Sequence, residues 1–283
     1  MNYMKTTFLL GILTCLLVVF GQLIGGSNGA VLFLIIAAVM NFVSYWFSDK
    51  IVLMMYHAKQ ADERQAPRLH AIVKDLAERA NIPMPKVFIV ENPSPNAFAT
   101  GRNPSHASVA ATTGILKLLN DEELKGVMAH ELAHVKNRDI LIQSVAATIA
   151  GAITMIANVV QWGAIFGGFS RDDDDRGGNI FVALVMAILA PIAAMIVQMA
   201  ISRSREYAAD YAGAKLSQKP LALASALGRL EQTVRALPMP GGSPSTAHLF
   251  IVNPFRGGIA GLFSTHPPME ERIRRLEQLS REM

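Results

Sequence analysis

The stretch Asn120–Asn137, NDEELKGVMAHELAHVKN, predicts one helix. Asn120 can accept a hydrogen bond from a free first-turn amide. Asp121, Glu122 and Glu123 set carboxylates against the positive end of the helix dipole. Inside it stands His130-Glu131-Leu132-Ala133-His134. Residues i and i+4 share a helix face, so both imidazoles can reach one metal ion. Glu131 is one residue along and about 100° around the axis. From there it can take a proton from a metal-activated water and later deliver it to a leaving amine.

A catalytic zinc takes three protein ligands and keeps one position open. Asn137, Arg138 and Asp139 do not supply a further histidine. The next candidate is Glu206, in Ser204-Arg205-Glu206-Tyr207-Ala208-Ala209-Asp210, 72 residues after His134. Asp210, one turn on, can accept a hydrogen bond from the free ring nitrogen of a ligand histidine, which fixes its tautomer.

The gap between these ligands is mostly apolar. Residues 6–48, 140–170 and 177–202 contain no Asp, Glu, Lys or Arg. Charged residues make up 17% of the chain and apolar ones 51%, with a mean hydropathy of +0.31. A soluble domain is nearer 25% charged. The distribution excludes a fully soluble enzyme, a disordered chain and a disulfide-stapled module; Cys15 has no partner cysteine. Despite a net charge of +4, the basic residues are dispersed, which excludes a nucleic-acid partner.

At about 20 residues per crossing, the apolar runs predict four membrane spans. Thr6–Ile24 and Ala30–Phe47 are joined by a turn at Gly25–Gly29, and the second ends on interfacial aromatics, Tyr45-Trp46-Phe47. Stretches 140–170 and 179–201 form a hairpin, with Asp172–Asp175 in the loop between them. Gly151, Gly163, Gly167, Gly168 and Pro191 leave open whether that hairpin crosses fully or only dips in. Lys50, Lys59, Arg64, Lys136, Arg138, Arg203 and Arg205 all flank one side, which makes that side cytoplasmic and places both termini there.

The remainder reads as a mostly α domain with a small β-sheet. Helices are predicted over 61–79, 120–137, 203–216, 220–236 and from Pro268 to the end; strands over 87–90, 96–100 and 108–112. The organisation is therefore two spans in 1–48, a first domain part in 49–139, a hairpin in 140–202 and a second domain part in 203–283.

On these residues the sequence resembles the HtpX family of membrane-bound heat-shock zinc proteases, gluzincins related to the CAAX prenyl proteases. Two further segments are similar to that family's: Asn96-Ala97-Phe98-Ala99-Thr100-Gly101, and His266-Pro267-Pro268 with Arg272. The resemblance implies a gluzincin-type domain on the cytoplasmic face of the bacterial inner membrane. It implies one Zn2+ per chain, held by His130, His134 and Glu206, with Glu131 as catalytic base and acid. Misfolded or damaged membrane proteins are the implied substrates, in cooperation with the FtsH protease and in the stress response. Asn96, Ala97 and Phe98 read either as a substrate-gripping edge or as a structural turn. His266 reads either as a donor to the reaction's oxyanion or as a helix-entry residue; Tyr207 and Tyr211 are alternative donors. A CAAX-type processing protease and a non-proteolytic zinc-dependent scaffold are the competing functions; a transporter is disfavoured by the absence of ionisable groups in the spans.

Overall fold

The computed structural model describes residues 2–150, 153, 203–236, 249–252 and 267–283. Most of the predicted internal hairpin, the Asp172–Asp175 loop, His248 and His266 lie outside the described residues.

Helix α1 (Asn2–Met55) is helical by its hydrogen bonds but is not one rod. In a straight helix, Thr14 and Asn41 would stand about 40 Å apart at 1.5 Å per residue. Instead, Asn41 Nδ2 donates to Thr14 Oγ1 at 2.8 Å and lies 3.4 Å from the Leu10 carbonyl. The chain reverses at Gly26, whose φ of +59° is open to glycine. The arms touch backbone to backbone beside the turn, where a Cβ on Gly29 would lie 2.2 Å from the Gly21 oxygen. The arm Gly26–Met55 is long and apolar enough to cross a membrane, while Thr6–Val19 is apolar but shorter. Among the described residues one helix meets that criterion, against the four spans expected. Val31, Ile35, Val39 and Phe42 on that arm are each more than half exposed.

Four strands form a sheet in the order β1-β2-β4-β3: β1 (Lys59–Gln60), β2 (Lys86–Val90), β3 (Ala97–Gly101) and β4 (Ala107–Thr112). β2 and β4 run parallel; β3 pairs antiparallel with β4 and is an edge. All six β4 residues are buried, and small side chains (Ala107, Ser108, Ala110, Ala111) allow cover on both faces. β1 and the short helix α3 (Thr113–Leu118) have too little sequence to carry a periodic signal.

Helix α2 (Pro67–Ala80) begins at its proline, six residues later than the expected helix, because Pro67 favours the first helical position. It buries Leu69, Val73, Leu76, Ala77 and Ala80. Helix α4 (Asp121–Lys136) carries a full capping box: Asn120 accepts from the Glu123 amide, and Glu123 accepts from the Asn120 amide. Glu123 also accepts from Ser225 and Arg229, tying the start of α4 to α7 (Pro220–Ala236). From Val127 to Val135 every α4 residue is buried, so the helix is enclosed by its neighbours on all sides. Burial of each large apolar side chain there contributes about 1.5–3 kcal/mol.

After α4, Arg138 takes φ +58° and the chain turns into α5 (Ile140–Ala150). This helix opens the third apolar stretch, 140–170, of the expected hairpin. Its first turns are buried in the protein: Ile140, Ile142, Val145 and Ala146 are fully covered. Ser144 bonds Thr100 of β3 at 2.7 Å, and Ala147 packs with Val90 and Phe98. Helices α6 (Arg203–Ser217) and α8 (Met269–Glu282) complete the described fold.

Candidate active site

Two helices meet beneath the edge strand. α4 presents His130, Glu131 and His134, and α6 presents Glu206 and Asp210. Gly213, two turns beyond Glu206, makes that approach possible: a Cβ there would lie 2.7 Å from the His130 amide nitrogen. The spacing 206, 210, 213 keeps all three on one face of α6.

His134 Nε2 lies 3.5 Å from Glu206 Oε1, and His130 Nε2 lies 3.7 Å from Glu206 Oε2. One ligand atom from each of the three lies within 4.8 Å of the others, and each residue is only 3% exposed. A tetrahedral zinc with bonds of about 2.0–2.2 Å needs ligand atoms about 3.3–3.6 Å apart. The donor set and its spacing therefore fit a metal ion of the zinc type.

Both histidines are backed by carboxylates. His130 Nδ1 is 2.9 Å from Asp210 Oδ1, close but off the straight hydrogen-bond line. Asp210 in turn accepts two bonds from Arg272 of α8, at 2.8 and 2.7 Å. Burial alone would raise the Asp210 pKa, but the Arg272 charge and its bonds outweigh this and hold it at about 2. His134 Nδ1 lies 3.2 Å from Asp139 Oδ2. Burial lowers the His134 pKa, yet the bond to Asp139 and the charge of Glu206 prevail and set it at about 9 in the metal-free protein.

Glu131 points toward the strand. Its Oε2 accepts the Ala99 amide of β3 at 2.9 Å. Its carboxyl is pushed above the usual range by burial, against the pull of the two histidines. The small cleft here, about 20 Å³, is lined by Phe98, Ala99, Gln143 and the short segment Leu249–Ile251 besides the ionisable groups.

Of the expected strand residues, Ala97 and Phe98 are buried in β3, Phe98 against Tyr56 at 5.2 Å. The Asn96 side chain is turned to its own chain: it donates to the Leu249 carbonyl at 3.5 Å and accepts from the Ile251 amide at 3.2 Å. Tyr207 lies under Arg275, and Tyr211 is 49% exposed; neither lines the cleft.

Sequence reasoning missed Asp139 and passed over the role of Arg272. Asp139 sits just past the helix, in a turn that only the left-handed Arg138 brings back onto His134. Arg272 did leave a signal: it shares the buried stripe of α8 with Leu276 and Leu279, where an unpaired arginine would be costly.

The model of peptidase family M48 matches residues 63–280. The chain is 57% identical over 282 residues to the protease HtpX homolog of Thermococcus kodakarensis, covering 99% of this chain and 97% of that one. It is 54% identical over 277 residues to the protease HtpX homolog of Syntrophobacter fumaroxidans, covering 97% and 98%. In structure it is similar to S. mikatae Ste24p, with a TM-score of 0.54 at 16% identity; the match spans 98% of this chain but 65% of that chain, and speaks for the fold alone. Identity above one half along nearly the whole of both chains leaves one conclusion: this chain belongs to peptidase family M48, as a metalloprotease of the HtpX kind.

Proposed function

We propose that the chain is a membrane-anchored zinc endopeptidase that cuts misfolded or loosely folded membrane proteins. The observation that carries this reading is the position of Glu131, set between the histidine pair and the amide edge of β3. His130, His134 and Glu206 would hold one zinc ion per chain, which would supply a Lewis acid to polarise the peptide carbonyl and lower the pKa of the attacking water.

The protein's own part is positional. The Glu131 carboxylate takes the proton of the attacking water and returns it to the leaving amine, so the proton count closes over one turnover. A substrate in extended form pairs with the main chain of β3, whose outward face at Ala97 and Ala99 is free of any β partner among the described residues. Ala99 donates to Glu131 at rest, which sets the catalytic carboxylate beside this edge. Asn96 braces β3 through Leu249 and Ile251 rather than gripping the peptide. His266 is the proposed oxyanion donor.

The arm Gly26–Met55 supports membrane anchoring, with the protease domain on the cytoplasmic side of a multi-pass chain. Substrates with poorly packed spans then arrive by diffusion in the bilayer plane, as quality control shared with FtsH requires. The test is cleavage of casein by the purified full-length protein with zinc. Glu131→Gln should lower turnover by about 10²–10⁴-fold while zinc content stays at the wild-type level. Equal absence of cleavage by both proteins, with zinc bound, overturns the protease mechanism.

A further inference from the structure

A cavity of about 580 Å³ lies away from the histidine cleft. It opens where the C-terminal end of the membrane arm meets the sheet domain. One wall is Phe42, Trp46 and Phe47 of α1; the other is Lys86, Arg102 and Ser108. We propose that it holds the phosphate headgroup of an anionic phospholipid, an inference that rests on the membrane placement of α1.

Depth comes first. From Gly26, about 20 residues cross the hydrocarbon core. The opposite interface is therefore reached near Trp46, and the first charges on that arm are Asp49 and Lys50. The cavity thus lies at the level of lipid phosphates.

Charge comes next. Lys50, Lys86 and Arg102 line the cavity against a single carboxylate, Asp49. Among the described residues none of the three cations is in an ion pair. Two rest on aromatic faces instead: Arg102 lies 4.5 Å from the Trp46 ring centre and Lys50 5.3 Å from that of Phe47. An arginine stacked this way keeps its outer N–H groups free for a bidentate phosphate contact. Ser105 and Ser108 add hydroxyls for the remaining phosphate oxygens.

The apolar wall separates a lipid from a soluble anion. Phe42, Trp46, Phe47 and Met84 line the cavity and are 58%, 46%, 40% and 43% exposed overall. Val39 and Ile35 continue this exposed face along the arm toward the bilayer centre. A soluble phosphate would leave that surface uncovered; a phospholipid sets its headgroup on the cations and its chains on the apolar face. Because β2, β4 and the loop after β3 supply half the cavity, the bound lipid would also fix the tilt of the protease domain on the membrane.

The chain has two tryptophans, Trp46 and Trp162, so Trp162→Phe leaves Trp46 as a local reporter. The full-length variant is reconstituted into phosphatidylcholine vesicles with a minor share of phosphatidylglycerol brominated in its chains. Quenching of Trp46 should exceed that from the same share of brominated phosphatidylcholine. Arg102→Gln and Lys86→Gln should each lower this enrichment by about 5-fold, the worth of one basic group at an anionic surface. Equal quenching by the two lipids, or an enrichment unchanged in the double variant, overturns the proposal. Loss of quenching on adding glycerol phosphate would also overturn it, by making the cavity a soluble-anion site. Failure of the protein to enter phosphatidylcholine vesicles at all would instead sink the membrane placement on which the proposal rests.

Discussion

Asn41 in the N-terminal hairpin and Asp210 beneath the histidine pair are both polar side chains turned toward other protein groups and away from water. Asn41 is neutral and has two partners, a hydroxyl and a carbonyl, on the facing arm. Asp210 is charged, and the protein has placed a histidine at 2.9 Å and a two-pronged arginine at 2.7–2.8 Å around it. The difference follows from the cost of burial. A buried neutral amide with incomplete bonding loses about 1–3 kcal/mol, whereas a buried charge without a counter-ion costs several times that. The hairpin can therefore be held by weak, sparse polar contacts, while the cleft needs every charge answered. His134 repeats the rule with Asp139, which also lies 4.0 Å from Arg205.

The sharpest way to break this contrast is Arg272→Leu. Arg272 is fully buried, and its loss leaves Asp210 charged and unanswered. Unfolding in urea should show a loss of about 3–5 kcal/mol, and zinc affinity should fall about 10–100-fold as His130 loses its fixed partner. Arg272→Lys restores the charge but not the fork, so it should recover only part of either. The pH dependence carries a sign. The Asp210 pKa is depressed from 3.8 to about 2, so its stabilisation is complete above 3.8 and disappears as pH falls toward 2. Metal-free wild-type protein should lose on the order of 2 kcal/mol across that window, and Arg272→Leu protein should not. A variant as stable as wild type would show that Asp210 needs no ion pair.

Asp139→Asn should act more weakly, because it removes one charge and leaves a hydrogen-bond acceptor. Zinc affinity should fall about 10-fold, near the lower end for such partners. In the metal-free protein the His134 pKa should move down from about 9, readable from its ring proton shifts by NMR. An unmoved titration would mean that Glu206 and Glu131 set the histidine without Asp139.

Legibility in the sequence divides along the same line. The pairing of His130 with His134 and of Glu206 with Asp210 was readable because helical spacing places i and i+4 together whatever surrounds them; that the two pairs meet rests on contact between α4 and α6. The α4 cap was readable because Asn120 and Glu123 are neighbours in the chain. Asp139 and Arg272 were harder, since their contacts depend on one left-handed residue and on helix α8, which reaches Asp210 from 62 residues away in the chain. Asn96 could not be decided from its neighbours in the chain. Its local motif admits a substrate contact or a structural turn, and the bonds at both ends of its amide come from a segment more than 150 residues later. The burial of the start of α5 was not legible because apolar residues look alike in a bilayer and in a core; the packing of Ser144 and Ala147 on the sheet shows core at this end.

The smallest effect belongs to Asn41→Val. The substitution removes the bonds to Thr14 and Leu10 but keeps a side chain that packs between apolar arms. In lipid, such an interhelical bond is worth about 0.6–2 kcal/mol, because the separated arms find other partners. The expected outcome is a loss within that range in a reversible unfolding assay in detergent, with casein cleavage unchanged, since the Gly26 turn and the Gly21–Gly29 contact still hold the arms antiparallel. A loss as large as that from Arg272→Leu would erase the contrast and make Asn41 as essential to its region as the ion pair is to the cleft. A measured loss near 1 kcal/mol would sharpen it: a neutral group facing lipid-exposed arms tolerates a partial set of bonds, and a buried carboxylate beside a metal site does not.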